Sequence, residues 1–238
     1  MLRTAHDIHG LRLLARDGEI GHVDDLLIDD RDWTLRYLVV TTGVWLIGRR
    51  VLVPRPAIRG VESWGADGVQ VELTRTQIGE SPDLKSAEPL TREFERATYD
   101  HYGWPIYWSV EGVAGGVQEQ QRDAVTDRHL QSSMDVARYH VHASDGEIGH
   151  VSDLVFDLST WQVRYLVVDT RNWLPGKHVL VTPDRVRHTT AHDRVLYVAL
   201  TRDAIENGPD YDRDTQIDEA FETRLREYYE SAAGAGVR

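Results

Sequence analysis

The heptapeptide DGEIGHV begins at Asp17 and again at Asp145, an offset of 145 − 17 = 128 residues that persists well beyond the seven letters. At the same offset Trp33 recurs as Trp161, and RYLVV from Arg36 recurs from Arg164. Trp45, Leu46 and Gly48 recur as Trp173, Leu174 and Gly176, and VLV from Val51 recurs from Val179. After one deletion the offset becomes 127: LTR from Leu73 meets LTR from Leu200, and Phe94 meets Phe221. Solenoid repeats run over roughly 20–50 residues, so a period this long means that a whole domain has been duplicated. The repeat divides the chain into residues 1–110, a linker 111–128 and residues 129–238. The linker, EGVAGGVQEQQRDAVTDR, is polar and glycine-containing.

Within each copy the first signals are β. Asp17-Gly18 between two apolar-containing runs reads as a two-residue hairpin turn, because both residues tolerate positive φ. It joins a strand near Leu11–Arg16 to one near Glu19–Ile28. On the second strand Ile20 and Val23 fall on opposite parities, which calls for a bulge at Gly21-His22. The next strand places Trp33, Leu35, Tyr37 and Val39 on one face, and Trp161, Val163, Tyr165 and Val167 take the same places in the second copy. Further short strands around Val51, Val61 and Val71 suggest a small barrel. The period then changes. Leu90, Phe94, Ala97 and His101 form one helical face, as do Ile217, Phe221, Leu225 and Tyr228. Pro89 suits a first helical turn and Thr215 with Asp218 a capping pair. The expected fold is mainly β: two tandem small β-barrels, each followed by an α-helix, arranged as a pseudo-twofold pair.

Composition narrows the function classes. The chain of 238 residues has a net charge of −12 and no cysteine. The charge disfavours a nucleic-acid partner. The lack of cysteine excludes disulfides, thiolate nucleophiles and cysteine-held metals. The start, MLRTAHDIHG, is polar by Thr4, and Arg36, Arg49 and Arg50 interrupt the most apolar stretch, so no integral membrane segment is expected and the expected location is cytoplasmic.

The pattern G-x-I-G-x-V-x-D-L at Gly18–Leu26 and Gly146–Leu154, with the aromatic–Arg-Tyr-Leu-Val-Val strand and the W-L-x-G before VLV, resembles the PRC-barrel family. That family includes the soluble domain of the photosynthetic reaction-centre H subunit and the C-terminal domain of a ribosome maturation factor. The resemblance covers nearly the whole chain apart from the linker. It implies two PRC-like barrels and a binding or assembly role, not catalysis. An aromatic tail like YDHYGWPIYW from Tyr99 also follows the barrel in stand-alone members.

Three functional readings follow. The first is a non-enzymatic protein-binding or scaffold module, with Tyr102, Trp104, Ile106, Tyr107 and Trp108 as partner-binding residues. Those rings serve equally well as a plug over the barrel end. The second is a metal- or small-ligand-binding regulator using His22 with Asp25 and His150 with Asp153, positions that also suit a solvent-facing strand. The third, resting on resemblance alone, is a peripheral component of a membrane electron-transfer complex. The barrels pair either within one chain or in a homodimer. No nucleophile stands in a G-x-S-x-G context, and no cofactor is implied.

Overall fold

The computed structural model describes residues 1–43, 48–59, 64, 68–85, 90–108, 129–170 and 177–235. The linker Glu111–Arg128, Trp45-Leu46, the strand expected around Val61, Trp173 to Gly176 and Pro89 lie outside them. The first repeat runs β1 (Leu2–Thr4), α1 (Ala5–Ile8), β2 (Arg12–Ala15), β3 (Gly18–Asp29), β4 (Thr34–Thr42), β5 (Arg50–Pro54), β6 (Ile58–Arg59), β7 (Val69–Val71), α2 (Arg75–Gly79) and α3 (Arg92–Tyr102). The second runs β8 (Leu130–Ser132), α4 (Ser133–Val136), β9 (His140–Ala143), β10 (Gly146–Asp157), β11 (Gln162–Asp169), β12 (His178–Val181), β13 (Val186–Thr190), β14 (Val195–Val198), α5 (Arg202–Glu206), β15 (Asp210–Tyr211) and α6 (Glu219–Ala235). The protein is mainly β, and each repeat places a helix after its strands.

Two compact units result, and neither coincides with one repeat. One comprises Met1–His6, Asp32–Thr34 and Ser132–Arg238; the other comprises Asp7–Arg31 and Leu35–Gln131. The repeats have exchanged their first strands. β1 pairs with β10, Leu2 opposite Asp157 and Thr4 opposite Val155, while β8 pairs with β3. The flanking bonds match as well: Leu158 donates its amide to the Met1 carbonyl, and Asp30 to the His129 carbonyl, each at 2.9 Å. The two strands take equivalent positions, and a strand of three residues has no hairpin holding it to its own repeat.

In the unit built mostly from the first repeat, the strand order is β6-β7-β2-β3-β4-β5; in the other it is β13-β14-β9-β10-β11-β12-β15. The β2–β7 and β9–β14 pairs are parallel; β6–β7, β2–β3, β4–β5, β13–β14, β9–β10, β10–β11, β11–β12 and β12–β15 are antiparallel. The hairpin is present but turns one residue earlier than expected: Ala15 pairs with Gly18, so Arg16 and Asp17 are the turn residues and Gly18, at φ +133, opens β3. The Asp17 carboxylate accepts the Arg75 amide at 2.7 Å. The bulge falls one residue before its expected place. Register slips between Leu13 opposite Gly21 and Leu14 opposite Glu19, so Ile20 is the extra residue, and Ile148 has the same position in the second repeat. Both isoleucines are buried. Gly21 and Gly149 are required for a different reason: a Cβ on either would collide with the carbonyl of Thr41 or Asp169.

Trp33 and Trp161 do not begin their strands. Both adopt left-handed backbone, φ 57 and 65, and close the turn before β4 and β11 while their rings are buried. Such backbone is unfavourable for a bulky residue, so tertiary burial holds it. β4 buries Leu35, Tyr37 and Val39 together with Leu38 and Val40; it is covered on both faces, and polar/apolar alternation is absent.

The helical faces also shift. On α3 the buried residues are Glu95, Thr98 and Tyr99, while Ala97 and His101 are exposed and Leu90 and Phe94 pack from the side. Thr91 caps the start and Gly103 the end, at φ 72. On α6 the buried face is Phe221, Leu225 and Tyr229. Asp218 alone caps this helix, accepting the Phe221 amide at 2.8 Å, because the Thr215 hydroxyl is bonded to Asp212 at 2.6 Å.

Candidate functional site

The aromatic residues after α3 turn back over their own unit. Leu27, Tyr37, Val39, Leu52 and Tyr99 form a buried cluster, with Leu84, Leu90, Phe94, Trp104, Ile106, Tyr107 and Leu130 packed against it. The Tyr102 hydroxyl donates to the Leu52 carbonyl at 3.3 Å, and its ring lies 5.3 Å from that of Trp104. Trp108 contacts Tyr107 edge-on at 4.8 Å and lies under the Arg92 guanidinium at 4.5 Å. Tyr102, Trp104, Ile106, Tyr107 and Trp108 are thus brought together, each half-buried.

Beneath them lies a polar constellation centred on Glu95, which is fully buried. One carboxylate oxygen accepts the Tyr37 hydroxyl at 2.8 Å and the Tyr107 hydroxyl at 3.0 Å. The other has Arg92 Nη1 at 3.4 Å and His129 Nε2 at 3.3 Å. The same His129 nitrogen is 3.1 Å from the Tyr107 hydroxyl, which also accepts from Arg92 at 3.0 Å. A buried carboxylate is tolerated only with such a set of donors. Burial, and then the Glu95 charge, push the Tyr37 and Tyr107 hydroxyls far above the usual tyrosine range. Burial raises Tyr99 to about 12. His129 is itself buried and reaches Glu95 because it immediately precedes β8, the strand supplied by the second repeat.

Glu95 and His129 were not singled out from the sequence. The signal present is that Tyr37 and Glu95 recur as Tyr165 and Glu222, a tyrosine and a carboxylate kept in step through the duplication. The Tyr165 hydroxyl does donate to Glu222, at 2.7 Å. His129 carries no such signal, since its counterpart is Met1.

His22 and Asp25 lie in one unit, His150 and Asp153 in the other. His22 is exposed on β3 opposite Arg12. Asp25 is buried and accepts the Leu26 amide at 2.7 Å. Asp153 is also buried and accepts the amides of Leu154 and His6 at 2.8 and 3.4 Å; burial, the largest influence, raises its pKa. His150 faces Asp169 instead, at 4.0 Å. Among the described residues, no group of three or more His, Asp or Glu could hold a metal ion. Each aspartate is turned toward backbone amides, Asp25 to that of Leu26 and Asp153 to those of Leu154 and of His6 on α1.

Short strands wrapped on a buried apolar core, followed by a helix and written twice, define a duplicated small-barrel protein. The family model for the PRC-barrel domain matches residues 2–77 and 141–205, more than half of the chain, and the chain belongs to that family. No curated protein matches it. Among the described residues no helix is long and apolar enough to cross a membrane.

Proposed function

We propose that the chain is a non-enzymatic protein-interaction module, a scaffold that carries two PRC-barrel domains on one polypeptide. The supporting observation is how the constellation with most chemistry is used. Both oxygens of Glu95 are taken by Tyr37, Tyr107, Arg92 and His129 inside the unit. A group saturated in this way builds structure and offers neither lone pair nor proton to a substrate. The aromatic tail enters the reading chiefly as packing. Its contact with a partner is made by the outer faces that Tyr102, Trp104, Ile106, Tyr107 and Trp108, each half-buried, leave exposed.

The test is affinity purification of the tagged full chain under cross-linking, with co-purifying proteins quantified against an untagged control. A stoichiometric protein partner is the expected result. Recovery of the chain alone, with turnover of a small molecule by the purified protein, would overturn the reading.

A further inference from the structure

The two units differ at one sheet edge. β13 pairs with β14 and with no other strand among the described residues. It is the counterpart of β6, whose Arg59 lies 3.8 Å from Glu72; Glu72 is also gripped by Arg16 at 3.1 Å, and Arg12 pairs with Glu19 at 3.4 Å. In the second repeat, Arg59 becomes Arg187, but Glu72 becomes Ala199 and Arg16 becomes Ser144. The cation is kept and its carboxylate is gone. Arg187 is exposed and makes no ion pair among the described residues, and the same holds for Arg194, at the head of β14, and for Arg138, just before β9. The nearby acids are Asp193, in the β13–β14 turn, Asp184, which pairs with Arg185, and Glu147, which lies opposite His142 and pairs with His140 at 2.9 Å. In a chain of net charge −12, these unpaired cations form a local reversal of sign.

The same edge carries a row of rings. His188 on β13 stacks on Tyr197 of β14 at 4.4 Å and 16°, and His142 on β9 lies 5.4 Å from Tyr197 on the other side. In the other unit the positions of His142 and Tyr197 hold Leu14 and Gln70. Beyond a bulge at Arg187 the open strand runs in regular register from His188 to Thr190; flanked by free cations and aromatic surface, it has the requirements for strand addition. The backbone supplies the hydrogen bonds, and alternate side chains of the incoming segment meet the charged and ring-bearing faces.

We infer that β13 is a docking edge for an extended acidic polypeptide segment of a partner protein, which adds to the sheet as a further strand. The inference deepens the interaction reading above and rests on it. Charge at a sheet edge ordinarily guards against unwanted pairing. Here the same arginines repel the β13 edge of a second copy and admit a strand of opposite charge. A polypeptide is favoured over a nucleic acid because the overall acidity opposes a polyphosphate.

The test uses the full chain and a fluorescein-labelled decapeptide of alternating Val and Glu, followed by anisotropy at low ionic strength. The Val/Glu peptide binds and its Val/Lys counterpart does not. The double variant Arg187→Glu, Arg194→Glu weakens binding at least about tenfold with an unchanged melting temperature. A Val/Glu peptide N-methylated at alternate amides, equal in charge but unable to complete a ladder, also loses binding. Equal binding of the methylated peptide, or of the double variant, overturns the inference, as does heparin or an anionic vesicle binding where the peptide does not. Failure here is separable from failure of the interaction reading. A cellular partner captured equally by wild type and double variant removes the edge and leaves the module. Recovery of no partner, with peptide binding intact and arginine-dependent, removes the module and leaves the edge.

Discussion

The Tyr37–Glu95 pair and the Tyr165–Glu222 pair are the same two residues written twice, in different surroundings. Glu95 is fully buried, and its four donors come from β4, α3, the aromatic tail and the residue before β8. The Glu222 side chain is 32% exposed and is held by Tyr165 and by Arg164 at 3.3 Å. Two additions separate them. The first repeat continues into Tyr107 and Trp108, whereas α6 runs into small residues, SAAGAG. The exchanged strand then brings His129 to Glu95, whereas its counterpart Met1 instead places its amino group 3.2 Å from Asp157. Duplication therefore copied the pair, and the flanking segments decided which copy became a buried network. A paired charge contributes little at the surface, yet losing one partner of a buried set is costly.

That contrast can be tested directly. Glu95→Ala leaves two hydroxyls, a guanidinium and an imidazole buried without their acceptor, and should destabilise the first-repeat unit by ~3–5 kcal/mol. Glu222→Ala should cost less than ~1 kcal/mol. Urea unfolding of both variants, followed by near-UV circular dichroism, would bring the two sites to one level if the losses were equal. His129→Ala comes next, at ~2 kcal/mol, for a lost buried hydrogen-bonded partner. Its specific mark is faster hydrogen exchange at the Asp30 amide, which donates to the His129 carbonyl. No change there would mean that β8 is held without the network.

Alkaline titration gives a smaller but residue-resolved contrast. Burial, then the bond to Glu222, brings Tyr165 to about 12, while Tyr37 is pushed far higher by burial and the Glu95 charge. A raised tyrosine pKa gives stability that is complete below the ordinary value of about 10 and is lost as pH rises toward the folded value. Tyrosine ring carbon shifts should therefore show Tyr165 ionising in the folded chain and Tyr37 only when its unit unfolds. Ionisation of Tyr37 at or below the pH of Tyr165 would contradict the buried network.

The smallest effect is expected at Asp153. Its carboxyl is raised by burial, so the folded state holds its proton more tightly, and stability falls as pH climbs from the ordinary carboxylate range through the folded value. Asp153→Asn keeps an oxygen for the Leu154 and His6 amides and removes the charge. It should slightly raise the melting temperature near neutral pH and flatten that part of the profile. A fall in melting temperature at neutral pH would show that the charge itself is needed.

Much of the fold was legible along the chain. The 128-residue offset named the duplication, Asp17-Gly18 marked the hairpin to within one residue, and the switch of period marked the helices. The errors were local and share a cause. Ile20 takes the bulge one residue before Gly21 because Gly21 is needed where the β4 backbone comes close. Trp33 leaves its strand because its ring is buried from a left-handed turn. Periodicity assigned the inner face of α3 to Leu90, Phe94, Ala97 and His101, since a hydrophobic pattern cannot anticipate a glutamate as the most buried position of a helix.

By itself the sequence determined that one domain is encoded twice, that it is mainly β with a following helix, and that no thiol chemistry is available. Those properties follow from repetition, turn chemistry and composition, all of which are local. Only the tertiary structure decided that β1 and β8 trade places, that His129 serves Glu95, and that Arg187 lacks the carboxylate which Arg59 retains. Each depends on groups far apart along the chain. Equivalent strands compete for equivalent edges, and neither spacing nor propensity distinguishes a strand paired with its own repeat from one paired with the other.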